Sequence, residues 1–111
     1  MKATSILFDL DGTIYSGGAA INGAVEFIAK LVESSIDYRF ITNCSDRSSE
    51  QVSKHLVSLG IACDSDLVVT SAMAAAKIVK GRRVSVVGSK NLHKIVEDAG
   101  ALLHMMTRMT S

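Results

Sequence analysis

Proline is absent from these 111 residues, cysteine occurs twice, aromatic residues make up 5%, and neither sign of charge prevails. A formal net charge of +1 offers no bulk attraction for nucleic acid or for an anionic membrane surface, so neither is expected as a partner. No run of roughly 18 apolar residues occurs, and Met1-Lys2-Ala3-Thr4 leads straight into a strand; no membrane span or secretory leader is expected. Cys44 and Cys63 fall in no C-x-x-C or Cys/His spacing, and His55, His93 and His104 are scattered without an i,i+4 pair. No metal site is expected on them, and the sparse thiols read as reduced cysteines of a cytoplasmic protein. The missing proline excludes nothing by itself.

Hydrophobic residues at 48% and charged residues at 21% suit one small globular domain with one core. Thr4 to Asp9 reads as a buried strand. Ala24, Phe27, Ile28 and Leu31 recur at helical spacing, predicting a helix over about Gly23 to Ser34. Asp37 to Thr42 is a second strand. Ser48 and Gln51 form a capping box for a helix with Val52, His55, Leu56 and Leu59 on its apolar face, ended by Gly60. Asp66 to Thr70 reads as extended, and Ser71 opens an Ala/Met helix, packed into the core over Met73 to Ala76, that stops at Gly81. Val84 to Val87 is a third strand, and Ser89 caps a helix carrying Leu92, Ile95, Val96 and Ala99 that Gly100 closes. From Ala101 the tail begins like a strand. This alternation predicts an α/β fold: a three-layer, Rossmann-like parallel sheet flanked by helices with right-handed crossovers.

Chemistry concentrates at the strand ends. Asp9 and Asp11, in Phe8-Asp9-Leu10-Asp11-Gly12-Thr13, place two carboxylates at the end of the first strand, and Thr42 and Asn43 end the second. In parallel sheets ligands collect beyond the carboxyl ends of the strands. An aspartate nucleophile, an acid/base partner, a hydroxyl donor and a cation suit phosphoryl transfer: N–H groups and the Thr42 hydroxyl can donate to phosphate oxygens while the cation offsets charge. Gly88-Ser89-Lys90 lacks the earlier glycine spacing of a phosphate loop. Cys44 borders the site, but a thiol without a base or a depressed pKa is no nucleophile.

These residues resemble the haloacid dehalogenase superfamily of phosphatases. Its D-x-D-G-T motif stands as Asp9-Leu10-Asp11-Gly12-Thr13, and its second motif as Thr42. The finer likeness is to the NagD-like, p-nitrophenylphosphatase branch, through Tyr15, Gly17, Ile21, Gly23 and Ala24, then Thr42-Asn43 with Ser45 and Arg47, Leu59-Gly60-Ile61 and Thr70-Ser71. The resemblance implies that Asp9 attacks phosphorus and that Asp11 acts as acid and then base. It implies that Mg²⁺ sits on Asp9 and the Asp11 backbone carbonyl, and that Thr42 and Asn43 hold the phosphoryl group. The substrate would be a small sugar- or nucleotide-phosphate monoester.

The resemblance also calls for a later lysine and a second acidic pair, and none of Lys77, Lys80, Lys90, Lys94 or Asp98 stands in the required order. The chain therefore reads as the N-terminal part of a haloacid dehalogenase-like core, incomplete and without its cap, with weak or no activity. In the family's sheet order a later strand flanks the first one. Its absence predicts an open β1 edge, marginal stability and self-association through that edge. Two other classes compete: a non-catalytic fragment or pseudoenzyme that binds phosphate or a partner chain, and a phosphoacceptor receiver domain, which would place its acidic pair and acceptor on different strands.

Overall fold

The first strand, β1 (Thr4–Asp9), is buried on both faces: Ser5, Ile6, Leu7 and Phe8 are all inaccessible to solvent or nearly so. Such a strand belongs in the middle of a parallel sheet covered by helices on two sides, and the computed structural model places it there. The structure describes residues 4–10, 13–16, 18–42, 47–71, 74, 77–78, 80–81, 83–88, 90–98, 100 and 102–106. In chain order the elements are β1, β2 (Tyr15–Ser16), β3 (Ala19–Ala20), α1 (Ala24–Glu33), β4 (Asp37–Ile41), α2 (Ser49–Ser58), a 3-10 turn (Ser65–Leu67), β5 (Val68–Val69), β6 (Arg83–Val87), α3 (Lys90–Asp98) and β7 (Leu102–Met106).

The large sheet runs β5-β4-β1-β6-β7, with every adjacent pair parallel. Alternation along the strands sorts the core into two layers. Ile6, Phe8, Leu10, Tyr38, Phe40, Val68 and Val87 face the helices that carry Ala24, Ile28, Leu31, Val52 and Leu56. Leu7, Ile41, Val69, Val84 and Val86 face Leu92 and Val96 of α3. The expected three-layer α/β architecture is therefore present.

Register between β1 and β4 is fixed at both ends. Ser5 Oγ donates to Asp37 Oδ2 at 2.8 Å where the strands begin, and Asp9 lies across from Ile41 where they end. Between these, Phe8 lies against Phe40 at 5.7 Å with the rings tilted by 35° and meets Phe27 edge-on at 5.9 Å, while Tyr38 meets Phe40 edge-on at 5.5 Å. Aromatic pairs of this kind contribute about 0.5–1.5 kcal/mol each beyond area burial.

Two expectations are corrected. The predicted open edge at β1 does not exist, because β6 pairs along it from Thr4↔Arg83 to Phe8↔Val87. The Arg-Val-Ser-Val-Val strand supplies the β-branched, doubly buried neighbour that a central strand requires, and β7 then forms the outer edge. The stretch from Asp66 is also not uniformly extended. Asp64 Oδ1 accepts the N–H of Asp66 at 3.0 Å and winds residues 65–67 into the 3-10 turn before β5 begins. Ser71 Oγ accepts the Ala74 N–H at 3.1 Å, as an N-cap does, but much of the Ala/Met segment lies outside the described residues.

Candidate functional site

Asp9 is the last residue of β1, and Thr42 directly follows β4, so both stand at the carboxyl end of neighbouring parallel strands. Backbone hydrogen bonds tie these tips together. Leu10 N–H donates to the Ile41 carbonyl at 3.1 Å, and Thr42 N–H donates to the Val69 carbonyl at 3.0 Å, joining β1, β4 and β5 across the mouth of the sheet. Asp9 lies level with Ile41, one residue short of Thr42 along the sheet. Asp9 is half-buried and Thr42 is buried.

The chain reverses directly after Asp9. The Leu10 carbonyl accepts the N–H groups of Thr13, Ile14 and Tyr15 at 3.2, 3.0 and 3.3 Å, a tight turn anchored by the buried side chains of Leu10 and Ile14. Beyond it, β2 and β3 form a short antiparallel hairpin, closed where Ile21 N–H donates to the Ile14 carbonyl at 2.8 Å. Tyr15 of this hairpin meets His55 of α2 edge-on at 5.1 Å. Asp11, Gly12, Asn43 and Cys44 lie outside the described residues, so the structure brings together Asp9 and Thr42 of the four expected site residues.

A residue that sequence reasoning missed closes the other side of Asp9. Gly88 follows β6 with φ of +153°, and a Cβ built on it would overlap the Cβ of Asp9. The sequence signal is a glycine directly after Val86-Val87, which by itself does not say which strand tip it faces.

Among the described residues, no three His, Cys, Asp or Glu side chains converge on a common point. Among the described residues, the carboxylate at this strand tip is that of the half-buried Asp9, a hard oxygen donor of the kind Mg²⁺ takes. Cys63, the free thiol among the described residues, is half-buried. Burial pushes its pKa up, a hydrogen bond with Ser53 opposes this, and the charge of Asp64 adds to the rise. A thiol so placed is a poor nucleophile.

Comparison with known proteins gives a consistent picture. A family model described as haloacid dehalogenase-like hydrolase matches residues 6–101. The chain is 37% identical over 101 residues to an acid sugar phosphatase of Staphylococcus saprophyticus, covering 87% of this chain and 39% of that protein. It is 37% identical over 98 residues to the 5'-nucleotidase YutF of Bacillus subtilis, covering 85% and 38%. Among solved structures, a thermostable p-nitrophenylphosphatase mutant from Bacillus stearothermophilus superposes with a TM-score of 0.58 at 34% identity, covering 94% of this chain and 43% of that one. A glycerol phosphate phosphatase of Mycobacterium tuberculosis, in complex with magnesium, gives a TM-score of 0.57 at 33% identity, covering 97% and 35%. The chain thus spans about two fifths of the length of the curated relatives it matches.

Proposed function

The chain belongs to the haloacid dehalogenase-like hydrolases, and from that premise we propose that it carries the nucleophile half of a Mg²⁺-dependent phosphomonoesterase. What supports the reading most is the juxtaposition at the sheet's mouth: Asp9 ends the strand that opens D-x-D-G-T, and Thr42 ends its hydrogen-bonded neighbour. The names of the relatives, which are sugar, nucleotide and glycerol phosphatases, favour a small sugar- or nucleotide-phosphate monoester as substrate.

In the proposed reaction a carboxylate oxygen of Asp9 attacks phosphorus, and the bond from phosphorus to the ester oxygen breaks. Asp11 gives its proton to the departing oxygen, which leaves as the alcohol. A water then attacks the phosphorus of the aspartyl-phosphate, Asp11 takes its proton, and the Asp9 oxygen is released with inorganic phosphate. Thr42 Oγ and the Asn43 backbone hold the transferring group. The Asp9 carboxylate and the Asp11 backbone carbonyl would hold Mg²⁺, which would supply charge neutralisation during the transfer.

Turnover by these 111 residues alone should be slow, because the lysine and the second acidic pair of the family have no counterpart in the required order. A reducing, cytoplasmic setting remains part of the proposal; among the described residues no helix is long and apolar enough to cross a membrane. Pairing between copies, proposed for a bare sheet edge, would run through an outer strand, β5 or β7, rather than β1. The test is p-nitrophenyl phosphate hydrolysis by the chain and by Asp9→Asn. Mg²⁺-dependent, EDTA-sensitive turnover that the substitution abolishes supports the enzyme. Identical background rates in both would favour a non-catalytic phosphate- or partner-binding role.

A further inference from the structure

Asp9 is gripped from two sides. On the β4 side, Leu10 N–H is bonded to Ile41 at 3.1 Å. On the β6 side, register Phe8↔Val87 brings the next residues, Asp9 and Gly88, level at the carboxyl end of the sheet. There the chain leaves the sheet at φ +153°, a conformation that side-chain-bearing residues avoid, and passes so close that a Cβ on Gly88 would overlap Asp9 Cβ and lie 3.3 Å from its backbone nitrogen. Strand alternation puts Asp9 on the face of Leu7 and Ile41, the face that α3 covers through Leu92 and Val96. Gly88, the residue that follows β6, therefore lies directly against the proposed nucleophile.

We propose that Gly88 is a positioning residue for Asp9: its bare Cα lets the β6–α3 turn seat the aspartate, fixing where the carboxylate stands at the strand tip. This rests on the reading of Asp9 as nucleophile. The role differs from that of a phosphate loop, whose earlier glycine spacing the Gly-Ser-Lys run lacks. A displacement on the order of 1 Å can cost roughly 100-fold in rate, so a methyl group at residue 88 would act through Asp9 without touching substrate.

Two measurements on the 111-residue chain test it. In thermal melts of the wild type, Gly88→Ala, Asp9→Gly and the double variant, the positive φ penalises alanine equally in both backgrounds, whereas the overlap exists only where Asp9 keeps its Cβ. Gly88→Ala should therefore lower Tm more in the wild-type background than in Asp9→Gly, and equal drops overturn the proposal. If Gly88→Ala alone does not fold, a folded double variant supports the proposal and an unfolded one overturns it. The second readout is ¹⁹F NMR of beryllofluoride with Mg²⁺, a mimic of the aspartyl-phosphate. The wild type should show a bound resonance that Asp9→Asn lacks, and folded Gly88→Ala should bind roughly tenfold or more weakly. Wild-type affinity in Gly88→Ala overturns the positioning role and leaves Asp9 intact as nucleophile. No bound resonance in the wild type overturns the nucleophile reading, and the positioning role with it.

Discussion

The backbone N–H of Leu10, the residue between the two motif aspartates, donates to the carbonyl of Ile41, the residue before Thr42, at 3.1 Å. One hydrogen bond thus sets the spacing between the strand tips that carry the proposed nucleophile and phosphate-binding hydroxyl.

Thr42→Ala should weaken phosphoryl transfer while the fold persists, because its N–H to Val69 is a backbone bond that alanine keeps. Losing a hydroxyl donor to an anionic group costs about 1.5–3 kcal/mol, roughly 10- to 100-fold in kcat/KM. Thr42→Ser should restore most of it. Steady-state kinetics on p-nitrophenyl phosphate decide the matter, and an unaffected alanine variant would remove Thr42 from the site.

Ser35→Gly should stabilise the chain. Helix α1 ends with Ile36 N–H donating to the Leu31 carbonyl at 3.0 Å and Ser35 N–H to Val32 at 3.1 Å, a closure that places Ser35 at φ 55°. Glycine is the usual residue there, and a side chain in that conformation costs about 1 kcal/mol or somewhat more. A denaturant midpoint raised by that amount, with phosphatase activity unaltered, is the expected result. The same closure at α2 already uses Gly60, at φ 90° with Ile61 N–H bonded to Leu56 at 3.0 Å.

Stability should fall at alkaline pH. Burial raises the pKa of Cys63, and burial followed by the charges of Cys63 and Asp64 raises that of Tyr38, whose hydroxyl donates to the Ala62 carbonyl at 2.8 Å. The unfolded thiol loses its proton near its ordinary value of 9.0, while the folded one retains it. The contribution is therefore whole below that pH and is lost as pH rises through the folded value. Melts from neutral to strongly alkaline pH should show Tm dropping above this point, and Cys63→Ala should flatten the onset. A Tm that holds or climbs would contradict the assignment.

Much of the frame was legible in the residues because local rules dominate there. The bounds of β1 follow from an apolar run stopped by Asp9. The start of α2 follows from the box in which Ser48 Oγ accepts Gln51 N–H at 3.2 Å while Gln51 Oε1 accepts Ser48 N–H at 2.8 Å. What stayed hidden depends on which strand lies beside which. A run such as Arg83–Val87 states that it is buried but not that it flanks β1, so the expected bare edge and the role of Gly88 both turned on pairing that no local pattern encodes. Ser35 was equally hidden, since serine carries no signal for a left-handed backbone.

The most direct test is chemical capture of the proposed intermediate. The chain is incubated with p-nitrophenyl phosphate and Mg²⁺, quenched, reduced with borohydride and mapped by mass spectrometry. An acyl phosphate on Asp9 is reduced to homoserine, so the account predicts that conversion at residue 9 alone, and none when Mg²⁺ is withheld. Conversion at another carboxylate, or none anywhere, would contradict it.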